Sequence, residues 1–209
     1  MENKIEIKSK GKLLDYAWLH QKAVGANIFN ENYISTFIET GTAAGEGVKR
    51  ALDAGFKEVC SIEGATEWFE QSSDRFWEDN RVSIFQGNSL ECLKKVIEYS
   101  NKIPTTVFYL DAHPSGEASF GHKELMEGNN NFSQDYIIKE ELKIITKNSG
   151  SRPIIVIDDV NGLTDGHAIE YATIIENHYR NYKFYFFDEN LSGNPEYYYK
   201  DKLLVAYPH

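Results

Sequence analysis

Phe37-Ile38-Glu39-Thr40-Gly41-Thr42-Ala43-Ala44-Gly45-Glu46-Gly47 is the stretch that decides the fold. A β-rich run ends at Thr40, glycines follow at 41, 45 and 47, and a helical pattern opens behind them. Glycines let the backbone turn sharply and bring its amides close to a ligand. A helix N-terminus adds unsatisfied donors and a positive dipole end. The spacing is GxxxGxG, which fits neither the GxGxxG dinucleotide fingerprint nor a P-loop ending in Gly-Lys-Ser/Thr. Glu46 also stands where a pyrophosphate would have to be accommodated. The plain alternative is a tight turn between a strand and a helix.

Outward from this loop the chain alternates. β-branched and aromatic runs lie at Tyr33–Thr40, Glu58–Glu63, Val82–Gln86, Thr105–Asp111 and Pro153–Val160. Segments with helical apolar spacing separate them, near Gly47–Ala54, Thr66–Trp77, Leu90–Tyr99 and Gln134–Lys147, and His167–Arg180 follows the fifth run. Strands separated by helices of this length predict βαβ crossovers and a parallel sheet. Tyr182–Phe187 and Lys202–Tyr207 read as two more strands, and the polar gap Asp188–Asp201, with Gly193 and Pro195, is no crossover helix. They are expected to pair as an antiparallel hairpin. The expected fold class is therefore α/β: a doubly wound, Rossmann-like, seven-stranded sheet with five parallel strands and a C-terminal hairpin. Leu14–Phe29 reads as a helix within an N-terminal helical extension, residues 1–30, ahead of a single α/β domain at 31–209. Pro114–Asn131 is rich in Gly, Ser and Asn. As a loop at 114–132 after the fourth strand, it is expected to overhang the ligand-binding edge of the sheet.

Composition narrows the function classes. The chain has 209 residues, 41% of them hydrophobic, with 13 Tyr, 12 Phe and 3 Trp, enough for a real core. Its formal charge of −10 repels phosphate backbones, so neither nucleic acid nor an anionic membrane is the expected partner. Cys60 and Cys92 lie in apolar runs without CxxC spacing and read as packed thiols in a reducing compartment. No apolar stretch resembles a signal peptide or a membrane span. A soluble, cytoplasmic protein is expected.

Glu-Thr-Gly-Thr-x-x-Gly-x-Gly, residues 39–47, resembles motif I of the class I S-adenosylmethionine-dependent methyltransferases, and the resemblance runs from about Tyr33 to the C-terminus. Within that superfamily the sequence is most similar to the metal-dependent small-molecule O-methyltransferases of catechol and macrocin type. The resemblance implies the seven-stranded architecture and S-adenosylmethionine as cofactor, held by Glu39, Thr40, Gly41, Thr42, Gly45 and Gly47. Glu63 ends the second strand about 20 residues after the glycines, where a carboxylate accepts both ribose hydroxyls. Asn88 and Ser89, after the third strand, match positions that meet the adenine amino edge. Asn88 replaces the Asp of many relatives, and a Gly-Asn-Ser turn that caps a helix is the other reading.

Asp111 ends the fourth strand and Asp158-Asp159 ends the fifth. Three carboxylates meeting at one sheet edge would repel one another unless a cation neutralised them, and hard oxygens suit Mg²⁺, Ca²⁺ or Mn²⁺. The resemblance implies that Asp111, Asp158 and Asp159 hold a divalent metal, Mg²⁺ foremost, which would aim a substrate hydroxyl at the methyl group. Capping of loops and helices is the alternative role for the three. His113 is a base, a ligand or a bystander; the relatives' lysine base has no counterpart before Lys123. The expected catalytic pair is Asp111 with His113, and the acceptor a small hydroxylated molecule. Relatives often pair, so a homodimer is compatible with the sequence. Asp-Ala-His-Pro replaces the Asn/Asp-Pro-Pro-Tyr/Phe of amino-methylating nucleic-acid enzymes. A metal-independent methyltransferase and a cofactor-binding scaffold on the same fold are the remaining alternatives.

Overall fold

The computed structural model describes residues 5–25, 35–100, 106–114, 116–149, 152–160, 166–190 and 198–209. Strand β1 (Ile7–Leu13) and helix α1 (Tyr16–Gly25) come first. An alternating run follows: β2 (Thr36–Thr40), α2 (Glu46–Asp53), β3 (Glu58–Glu63), α3 (Thr66–Phe76), β4 (Val82–Gln86), α4 (Ser89–Ser100) and β5 (Thr106–Leu110). Helix α5 (His122–Met126) and a 3₁₀ turn (Asn130–Phe132) precede α6 (Gln134–Asn148), β6 (Ile154–Ile157) and α7 (Gly166–Tyr179). Strands β7 (Tyr182–Asn190) and β8 (Tyr198–Pro208) come last.

Among the described residues, eight strands join one sheet in the order β1-β7-β8-β6-β5-β2-β3-β4. The central strands β2, β5 and β6 are buried at every position, as apolar runs covered on both faces must be. Their alternate residues feed two cores. Ile38, Phe108, Leu110 and Ile155 pack under α4, α6 and α7, whereas Phe37, Val107, Tyr109 and Val156 face α1 and α2. Each fully buried Phe, Leu or Ile contributes roughly 1.5–3 kcal/mol, so these layers set the stability. From β2 the chain winds outward through β3 to β4, then returns to lay β5 on the other side of β2. That reversal opens a crevice at the carboxyl ends of β2 and β5, the place where open α/β sheets bind ligands.

The parallel strands and the antiparallel β7–β8 hairpin are as expected. The sheet has an eighth strand, however. Residues 7–13, expected within a helical extension, form β1 and pair parallel with β7. Ile-Lys-Ser-Lys-Gly-Lys-Leu lacks apolar alternation because an edge strand with every residue after Ile7 exposed needs none. Helix α1 starts after Asp15, whose Oδ1 accepts the Ala17 amide at 2.9 Å. An irregularity between Phe187 and Glu189 lets the hairpin resume pairing at Glu189–Tyr199, so both its strands outrun the expected ones. The 114–132 segment carries α5 and the 3₁₀ turn rather than no regular structure. Residues 26–34, with the expected helix end and domain boundary, lie outside the described residues, as do Thr105, Ser115, Gly193 and Pro195. Among the described residues, no helix is long and apolar enough to cross a membrane.

Candidate active site

The loop after β2 is shaped by what its glycines must avoid. Gly41 has φ +85°, and a Cβ there would run into the backbone carbonyl of Asp111. The Asp111 amide in turn donates to the Thr40 carbonyl at 3.0 Å, so the ends of β2 and β5 are stitched together. Gly45, φ +81°, packs against the Phe76 ring, and Gly47 leaves space for the Glu39 carboxyl. Ser61 Oγ donates to Glu39 Oε2 at 2.8 Å, and Thr42 Oγ1 lies 2.6 Å from Ser61 Oγ. Burial pushes the Glu39 carboxyl up to about 8, and the Ser61 hydrogen bond opposes the shift.

In front of this loop lies a cavity of about 500 Å³. Gly41, Glu63, Asn88, Ser89 and Asp111, all expected at the cofactor, line it. Glu39, Thr40, Thr42, Gly45 and Gly47, expected there too, are absent from its wall; they brace the loop from behind, Glu39, Thr40 and Thr42 being buried. Glu63 accepts the Ala43 amide on Oε2 and the Ala65 amide on Oε1, both at 2.8 Å. Each carboxylate oxygen keeps a second acceptor site for a ligand hydroxyl. Asn88 Oδ1 accepts the Leu90 amide at 2.9 Å and so starts α4, the capping role held open from the sequence. Trp68 and Phe120 add aromatic wall that no sequence signal marked, and Phe120 packs over Gly64.

At the other end of the cavity, three ligand-type groups converge. Side-chain donor atoms of Asp111, His113 and Asp159 lie within 4.8 Å of one another. His113 Nε2 is 2.7 Å from Asp159 Oδ2, and its Nδ1 is 3.3 Å from Asp111 Oδ1. Asp158, expected as the third ligand, is not in this group. It is buried, with Tyr109 OH donating to its Oδ2 at 2.8 Å and the Asp159 amide to its Oδ1 at 2.6 Å. The turn that separates the two neighbours puts Asp159 at φ +56°, and Gln134 Nε2 secures it by donating to the carbonyls of Asp158 and Asp159.

Two residues that sequence reasoning missed complete this end. Lys202, on β8, forms an ion pair with Asp159 Oδ1. Glu189, on β7, is 5% exposed and lines the cavity. Burial drives Asp111 well above the usual carboxylate range, and the charges of Asp158 and Asp159 add to it. Burial and the same two neighbours push Glu189 up to about 8. Asp158 is also raised by burial, against its Tyr109 hydrogen bond. Asp159 goes the other way, to about 2, held by the His113 hydrogen bond and then by Lys202. Burial disfavours the Lys202 charge, but the Asp159 carboxylate outweighs it and raises its pKa. The edge thus holds more carboxyl groups than its cations can neutralise.

No family model matches the chain, and no curated protein matches its sequence. Solved structures do match its shape. A caffeoyl-CoA O-methyltransferase candidate from Staphylococcus aureus superposes with a TM-score of 0.50 over 96% of this chain and 87% of its own, at 14% identity. The methyltransferase domain of bacterial CtHen1 gives 0.52 over 92% and 98%, at 12% identity. A methyltransferase candidate from Streptococcus mutans, solved with SAH, gives 0.52 over 92% and 94%, at 12% identity. The chain has the class I methyltransferase fold. In that methyltransferase fold, β1 is an addition at the edge beyond the seven strands the resemblance implied.

Proposed function

We propose that the chain transfers a methyl group from S-adenosylmethionine to a hydroxyl of a small molecule, with a divalent cation held by Asp111, His113 and Asp159. The observation that carries this reading is the convergence of those three side chains in the cavity that Gly41 and Glu63 line. Gly41 keeps the loop clear of a side chain, and Glu63 keeps acceptor sites for ribose hydroxyls. S-adenosylmethionine, when bound, supplies an electrophilic methyl group. Two carboxylates and an imidazole fit a divalent cation, and the nitrogen favours Mn²⁺ or Zn²⁺ over the Mg²⁺ foremost in the sequence reading. Such an ion lowers the pKa of a hydroxyl that it touches.

The protein's share is positioning. Asp111 is anchored through its amide to β2, and the Asp159 turn is fixed by Gln134. The acceptor oxygen forms the new C–O bond as the C–S bond breaks, and its proton leaves toward Asp111, whose carboxylate is made the stronger base by burial. Phe120, with residues 116–119 and Phe132, lines the cavity and would keep water from the nucleophile. His113 is a ligand in this reading. A metal-independent variant, with His113 as base, is favoured by one fact: His113 and Lys202 already occupy both oxygens of Asp159.

Calorimetry with S-adenosylmethionine, with and without Mn²⁺, tests the proposal. We expect cofactor binding in both conditions, Mn²⁺ binding that Asp159→Asn weakens at least tenfold, and methyl transfer that EDTA abolishes reversibly. Undiminished transfer in EDTA would leave His113 as the base. No cofactor binding at all would remove the reading entirely.

A further inference from the structure

Lys202 is placed beside the Asp158-Asp159 turn by backbone. The Val160 amide donates to the Lys202 carbonyl at 3.0 Å, which ties β8 to the loop after β6. The backbone of Asp159 is held in its left-handed turn by Gln134, which donates to its carbonyl. Its Oδ1 is taken by the Lys202 ammonium and its Oδ2 by His113. A divalent cation that shares Asp159 therefore meets a positive charge already bound there. An ammonium and a divalent ion on one carboxylate repel strongly in a partly buried site.

Glu189 offers the ammonium another partner. The residue is 5% exposed and lines the same cavity. A carboxyl group with little access to water gains most from a cation beside it. The charges of Lys202 and Glu189 already act on each other. A lysine reaches through a flexible four-carbon stem, so a change of partner needs only rotamer changes.

We propose that Lys202 is the exchangeable counter-ion of this centre, paired with Asp159 when no divalent cation is bound and with Glu189 when one is. The proposal rests on the cation reading above and goes beyond it, since it makes a residue that ligates nothing set the centre's affinity.

Calorimetric titration of Mn²⁺ into the wild type, Lys202→Met and Lys202→Arg tests it, with melting in EDTA to check that each variant is folded. We expect Lys202→Met to bind Mn²⁺ at least about tenfold more tightly, and Lys202→Arg to bind as the wild type does. In the wild type, the Lys202 side-chain NMR resonance should shift as Zn²⁺ saturates the centre. Equal or weaker Mn²⁺ affinity in Lys202→Met, or an unmoved Lys202 resonance while His113 signals shift, would overturn the proposal alone. Absence of Mn²⁺ binding in both the wild type and Lys202→Met would overturn it together with the cation reading.

Discussion

Gly41 is constrained twice: by a φ of +85° and by the Asp111 carbonyl that a Cβ would strike. Backbone cannot yield as a side chain can, so Gly41→Ala is expected to lower stability by roughly 2–4 kcal/mol, through left-handed strain and overpacking. Thermal melting would show it, and S-adenosylmethionine affinity should fall with it; an unchanged melting temperature would mean that the loop relaxes freely. Residues of this kind were legible in the sequence, since Gly41, Glu63 and Asp111 stand at strand ends with telling spacing. Lys202 and Glu189 were not. Each is an ordinary charged residue on a late strand, and only the meeting of β7 and β8 with β6 gives it a role. Asp158 and Asp159 were read as a pair, but the positive φ of Asp159 turns one toward His113 and leaves the other with Tyr109.

Among the elements, the segment of residues 116–132 is the one expected to close over the cavity that it lines. It touches the cofactor end through Phe120, which packs over Gly64 and edge-on to Phe132 at 6.0 Å, yet stays 45% exposed. We expect amide exchange across residues 116–126 to slow when S-adenosylhomocysteine is added, as the ring is pinned between ligand and loop. Phe120→Ala should remove that slowing and weaken binding by about tenfold, roughly 1–2 kcal/mol of lost apolar contact. Exchange rates that ignore the ligand would show that the segment is a fixed wall. Its place after β5 could be read from the sequence, because Gly, Ser and Asn there break helical and strand periods. Its short helix could not: His122–Met126 is a single turn and buries none of its residues.

The whole molecule keeps an unusual proton inventory. Burial pushes Glu39 and Glu189 up to about 8 and Glu141 to about 7, the Ser89 and Thr40 hydroxyls opposing the last of these shifts. Unfolded, such groups titrate near 4.3, so between there and about pH 8 the native chain holds protons that the unfolded chain has lost. Stability must therefore fall as pH rises through this window. Asp159, at about 2, has the opposite sign but acts only below the window. Urea unfolding in EDTA should give at least about 2 kcal/mol more stability at pH 5.5 than at pH 8. The reverse order would mean that these carboxyls ionise in place. The sheet itself has another consequence. Strand β1 neighbours β7, although almost the full length of the chain separates them. At a synthesis rate of about 5–20 residues per second, a nascent chain carries β1 without its partner for on the order of ten seconds or longer. Lys8, Lys10 and Lys12 along that strand discourage pairing with another nascent chain in the interval. The lysines of β1 thus act as a guard during translation, before there is any edge to protect.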